Sequence, residues 1–427
     1  MSQRPRRSPI GIIPHSEFIR DIDEAQYDAY KADPRIKVRS PDHFKEMQAH
    51  IKRMYDGVTV EHSFLDTSGS VFDCIPIEQQ PSLRMKPGAA IAKAPDISRM
   101  LPADQAKTAQ SGQVQPQLDP SKKDRNGNMM GCPPGTIPMR RLTLAQLGRY
   151  ETLQDFFRKD PPVVAMATRP TAPDTTNEAN NHRYAHADQN VDNVGGHSVL
   201  NLWQPTVVTP DQRMSLSQVW YIGGSGAATQ TVEAGWQVLP DKYGHSQPVL
   251  FIFWTADNYA TGAQNYNLDN PAFVQTNSSW AIGGSLSPVS TDGAQQYEIE
   301  IIYYLSEGNW WLYLGGSSAS NAVGYYPASL FGGGQMATNA QWIKYGGETV
   351  CHAVGWGAMG SGQFASAGWQ HAAYQRNIYY YPSAGGSAWA NLTEVQGSPA
   401  CYTINLASAP DPWNIYFFFG GPGGTDC

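Results

Sequence analysis

The second half of the chain is a succession of short apolar runs separated by turn residues. The runs are rich in Val, Ile, Trp and Tyr, and turn signals such as Gly223-Gly224 and Pro240-Asp241 follow them. Many short strands at this spacing predict a β-sandwich or barrel and argue against a parallel α/β sheet. The predicted strands lie at 199–203, 216–222, 231–238, 249–255, 280–282, 297–305, 310–314, 323–326 and 415–419.

The first half combines helical spacing with a stretch that has little periodicity. Ser40 followed by Pro41 predicts a helix start, and Thr143 predicts the start of a second helix that ends at the prolines at 161 and 162. A hairpin-like segment is expected at 64–72, and residues 81–128 predict a long irregular connection. The apolar residues at helical spacing after Pro41 are Phe44, Met47, Ile51 and Met54.

A linker separates the two halves. Residues 169–181 contain no large apolar side chain and include Pro170 and Pro173, which is typical of an exposed connection. We therefore expect an α+β part at 1–170, a linker at 171–181 and the β-sandwich at 182–427.

The charge of the two halves has opposite sign. Residues 171–427 carry five Lys or Arg against seventeen Asp or Glu, whereas residues 1–170 carry 25 against 20. The halves should attract each other, and the acidic half would repel nucleic-acid phosphate. No apolar stretch reaches about 18 residues, so no membrane span is expected. We expect a monomer without a nucleic-acid or membrane partner. The N-terminal residues show no apolar signal segment.

The five cysteines leave their pairing open. An oxidising compartment would allow two bridges and one spare thiol, with Cys74 and Cys132 in the first half and Cys401 and Cys427 in the second. Five reduced thiols are the alternative, because no export signal is visible. No Cys-x-x-Cys or His-x-x-x-His spacing occurs, so neither a metal nor a cofactor is expected.

Two glutamates stand in sequence that is otherwise built to be buried. Glu233 lies in a strand with Val, Ala and Trp, and Glu348 follows Gly346 and Gly347. An unpaired buried carboxylate is costly unless function requires it. Alternation puts Glu233, Gly235 and Gln237 on one strand face, where the glycine leaves room for a substrate backbone and the glutamine can hydrogen-bond it.

Other residues are weaker candidates for a site. Glu298 and Glu300 share one strand face, but polar-out alternation favours a solvent face there. Four aromatic residues, Trp220, Trp236, Trp254 and Tyr345, are able to stack on a proline ring, and we assign Trp254 and Tyr345 to the substrate. The histidines of the second half have no spacing for a metal or a nucleophile; they are His182, His186, His197, His245, His352 and His371.

Ordered motifs across the second half resemble the neprosin family. They are EAGWQV at 233–238, FVQTN at 273–277, GGSLSPVS at 283–290, GNWWL at 308–312, GYYP at 324–327, YGGE at 345–348, MGSG at 359–362 and GGPG at 420–423. The first half is similar to that family's activation peptide through DCI at 73–75 and GCPPGTIPMRR at 131–141.

The resemblance implies a glutamic endopeptidase that cuts beside proline in acid, with a catalytic domain of two curved antiparallel sheets. The family's catalytic glutamates correspond to Glu233 and Glu348, and its C-terminal disulfide corresponds to Cys401 and Cys427, which leaves Cys351 outside the pairs. Two carboxyl groups that share one proton supply both a base for water and an acid for the amide. We expect a secreted, inactive precursor whose prosegment covers the cleft. The alternative is a sandwich that binds carbohydrate or cleaves glycosidic bonds.

Overall fold

The computed structural model describes residues 9–55, 57–86, 88, 90–102, 112–159, 181–260, 264–352, 355–425 and 427. The predicted linker lies outside these residues except for Asn181. The helices are α1 (His15–Glu24), α2 (Tyr27–Tyr30), α3 (Pro41–Tyr55), α4 (Pro81–Arg84), α5 (Leu144–Leu147), α6 (Leu153–Phe157) and α7 (Pro240–Tyr243).

The strands of the first half are short, and those of the second half are longer. In the first half they are β1 (His62–Leu65), β2 (Val71–Pro76), β3 (Gly112–Gln113), β4 (Asp119–Lys123), β5 (Met129–Met130) and β6 (Thr136–Arg140). In the second half they are β7 (His182–Asn201), β8 (Gln212–Gly223), β9 (Gln230–Val238), β10 (Val249–Thr255), β11 (Gln264–Tyr266), β12 (Val274–Gln275), β13 (Tyr297–Ser306), β14 (Asn309–Leu314), β15 (Ala322–Pro327), β16 (Ala340–Cys351), β17 (Ala373–Pro382), β18 (Ala388–Trp389), β19 (Thr393–Gln396), β20 (Thr403–Ala409) and β21 (Asn414–Gly420).

Helix α3 begins where the sequence predicts. The Ser40 hydroxyl accepts hydrogen bonds from the backbone N–H groups of Asp42 and His43 at 3.2 and 3.4 Å, which satisfies two of the helix's first donors. The four apolar residues at helical spacing are buried in the core. The predicted second helix is wrong in its extent, because it is broken into α5 and α6. Gly148 ends α5, and the Thr152 hydroxyl begins a new helix by accepting from Asp155 N.

The rest of the first half is a small sheet and an ordered irregular segment. Strands β1, β2 and β6 form a three-stranded antiparallel sheet, and the Cys74–Cys132 disulfide fixes it. Much of 81–128 is irregular, as predicted, but its described parts pack on the second half. Ile97 N donates to Ser317 O, and β3 pairs in parallel with β13.

The second half is a β-sandwich joined through its longest strand. One layer runs β11-β10-β9-β8-β16 and ends on the first part of β7, which also pairs with β19; the second part of β7 pairs with β13 and β17. From β13 the second layer continues through β14, β15 and β12, and from β17 through β21 and β20. Gly195 marks the transition with φ +123°, where a Cβ would lie 2.0 Å from Tyr303 O. Only glycine fits there.

Most predicted strands of the second half are confirmed, with two kinds of difference. One kind concerns the predicted strands: residues 280–282 form a turn region, and β7 begins at His182 and not at 199. The other concerns strands that the sequence prediction did not include, which are β11, β12, β17, β18, β19 and β20. The C-terminal strand is tied by the Cys401–Cys427 disulfide, and Cys351 is a buried thiol. Among the described residues, no helix is both long enough and apolar enough to cross a membrane.

Candidate active site

The two glutamates project from the same face of one sheet layer, on either side of strand β8. Glu233 lies on β9 opposite Trp220, and Glu348 lies on β16 opposite Leu216. Between them, Gln218 of β8 pairs with Gly235 on one side and with Gly346 on the other. Paired residues point to the same face, so strand register alone brings both carboxylates to Gln218.

The glycines beside Gln218 are required by close backbone approach. A Cβ on Gly235 would lie 2.0 Å from Ser217 O, and one on Gly346 would lie 2.4 Å from Ala185 O. Gly346 also has φ +154°, a region that L side chains rarely adopt. The sequence analysis assigned the space beside Gly235 to a substrate backbone, but in the structure the backbone of the neighbouring strand β8 lies there.

Lys159, two residues after α6, reaches across from the first half and lies between the carboxylates. Its Nζ is 2.6 Å from Glu233 Oε2 and 3.0 Å from Glu348 Oε2, and it donates to Gln218 Oε1 at 3.1 Å. The ammonium also lies 5.5 Å from the centroid of the Trp220 ring. All three charged side chains are buried. One nitrogen atom is thus within hydrogen-bond distance of both carboxylates.

Each carboxylate has further partners, and they differ in kind. Glu233 Oε1 accepts from the Thr231 hydroxyl at 2.9 Å and from the Tyr259 hydroxyl at 2.7 Å. Glu348 Oε1 is 2.6 Å from His182 Nδ1, and Glu348 Oε2 accepts from Gln218 Nε2 at 3.2 Å. The cluster therefore holds two carboxylates, one ammonium, one imidazole, one amide and two hydroxyls.

Burial and the neighbouring charges shift the pKa values of Glu348 and Lys159 in opposite directions. Burial by itself would raise the pKa of Glu348, but the Lys159 ammonium and the His182 hydrogen bond outweigh it and lower that pKa from 4.5 to about 2. Burial works against the charge of Lys159 too, and the two glutamates more than offset it, so the pKa of Lys159 is raised. Burial and Glu233 raise the pKa of Tyr259 well above its usual value, so its hydroxyl stays a donor.

The structure separates the other predicted substrate residues into two groups. Gln237 is on the glutamate face, in register with Leu216 and Glu348, and its Nε2 donates to the Tyr243 hydroxyl at 2.7 Å. Trp254 pairs with Val232, so its side chain is on the opposite face from Glu233. Tyr345 directly precedes Gly346, which is on the glutamate face, so its side chain is also on the opposite face. Both aromatic side chains pack in the core, so neither lies at the carboxylates. Among the four aromatic candidates, Trp220 is the one beside the pair.

The rival glutamates lie elsewhere, and one prediction about them is wrong. Glu298 does not face solvent: it is buried in an ion pair with Arg376 and accepts from the Tyr374 hydroxyl at 2.9 Å. Glu300 is partly exposed and lies 2.9 Å from His197 Nε2. The alternation expected for this strand fails because Gln113 of β3 and Tyr374 and Arg376 of β17 lie against the Glu298 carboxylate. Neither residue contacts Glu233 or Glu348.

Sequence reasoning missed Lys159, His182, Gln218 and Tyr259. Gln218 carried a usable signal, because it is a polar residue in a strand that is otherwise buried. Lys159 and His182 carried none, since a single Lys near a helix end and a single His at a strand start are ordinary surface features. No group of three or more His, Cys, Asp and Glu placed to hold a metal ion occurs among the described residues.

Comparison with known proteins gives one family match and several distant structures. Residues 211–422 match the model of the family described as Neprosin. Scytalido-glutamic peptidase with a transition state analog inhibitor is similar at 12% identity and TM-score 0.30, over 56% of this chain and 98% of that chain. The same peptidase with a peptide based transition state analog is similar at 10% identity and TM-score 0.28, over 57% of this chain and 98% of that chain. SCP-B, a member of the Eqolisin family of peptidases in complex with the tripeptide Ala-Ile-His, is similar at 9% identity and TM-score 0.27, over 57% of this chain and 98% of that chain.

Proposed function

Because the chain belongs to the neprosin family, we propose that it is a glutamic peptidase in which Glu233 and Glu348 hydrolyse peptide bonds. The observation that supports this most directly is the position of Lys159 Nζ, which is 2.6 Å from one carboxylate and 3.0 Å from the other. A water molecule at that position would contact both carboxylates and Gln218 once the lysine has left. This is the geometry that two-carboxylate amide hydrolysis requires.

The reaction needs one proton in the pair. The ionised carboxylate removes a proton from water while the water oxygen bonds to the substrate carbonyl carbon. The protonated carboxyl then gives its proton to the amide nitrogen as the C–N bond breaks, which yields a carboxylic acid and an amine. Two close carboxyl groups titrate as a pair, and their singly protonated form is populated in mild acid. We therefore assign the activity to acidic conditions.

The chain is an inactive precursor in this proposal, and Lys159 is the inhibitory group. The Lys159 ammonium fills the position proposed for the water and forms ion pairs with both carboxylates. It also lowers the pKa of Glu348, which disfavours the shared proton that the reaction needs. Removal of residues 1 to about 175 by cleavage in the linker near Pro170 and Pro173 would release it.

Further contacts between the halves support the inhibitory role of the prosegment. Asp269 lies 3.4 Å from Arg140 Nη2, and its carbonyl oxygen is 2.9 Å from His50 Nε2. Gln80 bonds to the backbone of Gln275 in both directions, at 2.9 and 2.8 Å. Acid protonates carboxylates that hold such contacts, so it should weaken the attachment of the prosegment.

Specificity for proline and secretion complete the proposal. The Trp220 ring is beside the pair, and an indole face of this kind can pack against a proline ring. The two disulfides, which the precursor forms in both halves, are typical of proteins made for an oxidising compartment. We thus propose a secreted enzyme that cuts beside proline.

The test compares glutamine variants of the full-length chain after incubation in acid. The substrates are a proline-containing peptide, the same peptide with alanine for proline, and a set of polysaccharides. Glu233→Gln and Glu348→Gln should each lower peptide cleavage by at least about 100-fold, whereas Glu307→Gln, on an exposed turn, should not. Cleavage of the peptide by either active-site variant at the parental rate would refute the assignment. Release of sugars by the parent, with no peptide cleavage, would favour a glycosidase.

A further inference from the structure

The two carboxylates of the cluster are held by donors of different chemistry. Both hydrogen-bond donors on Glu233 Oε1 are hydroxyls, from Thr231 and Tyr259. Glu348 instead has an imidazole nitrogen on Oε1 and an amide nitrogen on Oε2. Hydroxyls carry lone pairs and rotate, so they accommodate a carboxyl group in either protonation state. The nitrogen donors favour the ionised state.

His182 is placed against Glu348 by the strand register. Tyr184 of β7 lies directly opposite Glu348 of β16, and His182 lies opposite Val350. His182 is therefore the diagonal neighbour of Glu348 on the same sheet face, within reach of its side chain. The contact belongs to the strand and not to the prosegment, so it should persist after Lys159 leaves.

The shared proton of this contact belongs to the imidazole. Imidazole is a stronger base than a carboxylate, so Nδ1 carries the hydrogen and donates it over 2.6 Å to Glu348 Oε1. Glu233 instead accepts hydrogen bonds from two hydroxyls, and its ion pair with Lys159 is removed by the proposed activation.

The other groups around His182 do not reverse this effect. The Tyr184 hydroxyl is 3.4 Å from the same Nδ1. Burial, followed by the charges of Glu348 and Glu233 and a hydrogen bond to Glu348, raises its pKa well above the usual value, so it stays neutral. The Arg183 guanidinium donates hydrogen bonds to Cys427 O and to the His182 carbonyl oxygen. The side chain that strand β8 places against Glu348 is the neutral Gln218. The segment after α6 places Lys159 there, and the proposed activation removes it.

We propose that His182 is the positioning residue that keeps Glu348 ionised, so that Glu348 is the base that activates water and Glu233 is the acid that carries the proton. In the reaction, Glu348 takes a proton from water as the oxygen bonds to the carbonyl carbon. Glu233 gives its proton to the amide nitrogen as the C–N bond breaks. The inference rests on the proposed function and adds the division of roles.

The experiment measures the pH dependence of kcat/KM for the parent, His182→Phe and His182→Asn. Each full-length chain is incubated at one fixed acid pH until cleavage is steady, and is then assayed across pH. Loss of the imidazole should raise the pKa of Glu348, so the acid limb of the profile should move to higher pH by at least about one unit in His182→Phe. His182→Asn retains a neutral N–H donor and should move it less. The exposed His371→Gln is the control.

Two results would overturn the inference. One is a profile of His182→Phe that is lower at every pH but unchanged in shape, as expected for a merely structural residue. The other is movement of the alkaline limb alone, which would make Glu348 the acid. If His182→Phe does not fold, titration of ¹³C-labelled glutamate in the parent decides the question. The ¹³C signal of the carboxyl that ionises at lower pH must be missing in Glu348→Gln and present in Glu233→Gln. The reverse pattern would refute the proposal. If both glutamine variants still cleave peptide, the proposed function itself fails.

Discussion

Replacing Lys159 with methionine removes the charge between the two carboxylates while keeping a side chain of similar length. The pKa of Glu348 is about 2 with Lys159 in place and 4.5 ordinarily. Lys159 and His182 lower this pKa together, so roughly 3 kcal/mol of stability at neutral pH is the upper limit of what Lys159 contributes to the closed precursor. Because the pKa is depressed, this stability is present above pH 4.5 and is lost as the pH falls towards 2. The difference between parent and variant should therefore be at most about 3 kcal/mol at pH 7 and at most roughly 1 kcal/mol at pH 3, because His182 stays in contact with Glu348 in the variant.

The assay is urea unfolding followed by tryptophan fluorescence at the two pH values. Both chains carry Glu233→Gln, which the proposal makes inactive, so that self-cleavage does not shorten them during the titration. Lys122→Met, whose side chain is 67% exposed, is the matched control and should change stability by less than about 0.5 kcal/mol. In chains with Glu233 intact, Lys159→Met should also shorten the acid incubation needed for activity. A loss below about 1 kcal/mol at pH 7, or an equal loss at both pH values, would refute the reasoning.

Three further predictions concern other parts of the fold. His50 is buried, and burial together with Arg53 lowers its pKa from 6.5 to about 4. In the released prosegment the His50 imidazole is exposed and binds a proton at a higher pH. The attachment of the prosegment should therefore weaken by up to roughly 3 kcal/mol as the pH falls from 6.5 to 4. His50→Gln should flatten that slope in a prosegment-retention assay, His62→Gln should not, and an unchanged slope would contradict the prediction. Gly235→Ala should destabilise by about 1–3 kcal/mol or more because its Cβ would lie 2.0 Å from Ser217 O, and an unchanged melting temperature would exclude this clash. Removing the Cys401–Cys427 disulfide, which closes a separation of 26 residues, should cost about 2–4 kcal/mol in thermal unfolding; a cost below about 1 kcal/mol would show that the C-terminal strand holds without it.

Local pattern was sufficient for much of the architecture. Ser40 and Pro41 begin α3 as predicted, because capping and the fixed φ of proline act within one turn. Alternation placed Glu233, Gly235 and Gln237 on one face correctly, since side-chain direction in a strand has a period of two. The break between α5 and α6 was missed, although Gly148 and Thr152 both signal it.

Assignments that depend on distant partners were less successful. Trp254 and Tyr345 were expected at the substrate, but the register of β9, β10 and β16 puts them on the core face. Glu298 reads as a solvent-facing residue until Arg376, far along the chain, is brought against it. In both cases the deciding contact lies outside any local window, and a shift of one residue in register reverses the face.

From the sequence alone come the strand succession, the division into two oppositely charged halves and the choice of Glu233 and Glu348, because apolar periodicity, turn residues and isolated carboxylates are local properties. Only the tertiary structure decides that Lys159 lies between the carboxylates, that Gln218 separates them and that His182 contacts one and not the other. These contacts join residues 59 to 189 positions apart, from Lys159 with Gln218 to Lys159 with Glu348. They exist because the pairing of β7, β8, β9 and β16 sets one register, and the free energy that selects this register is summed over the whole sheet.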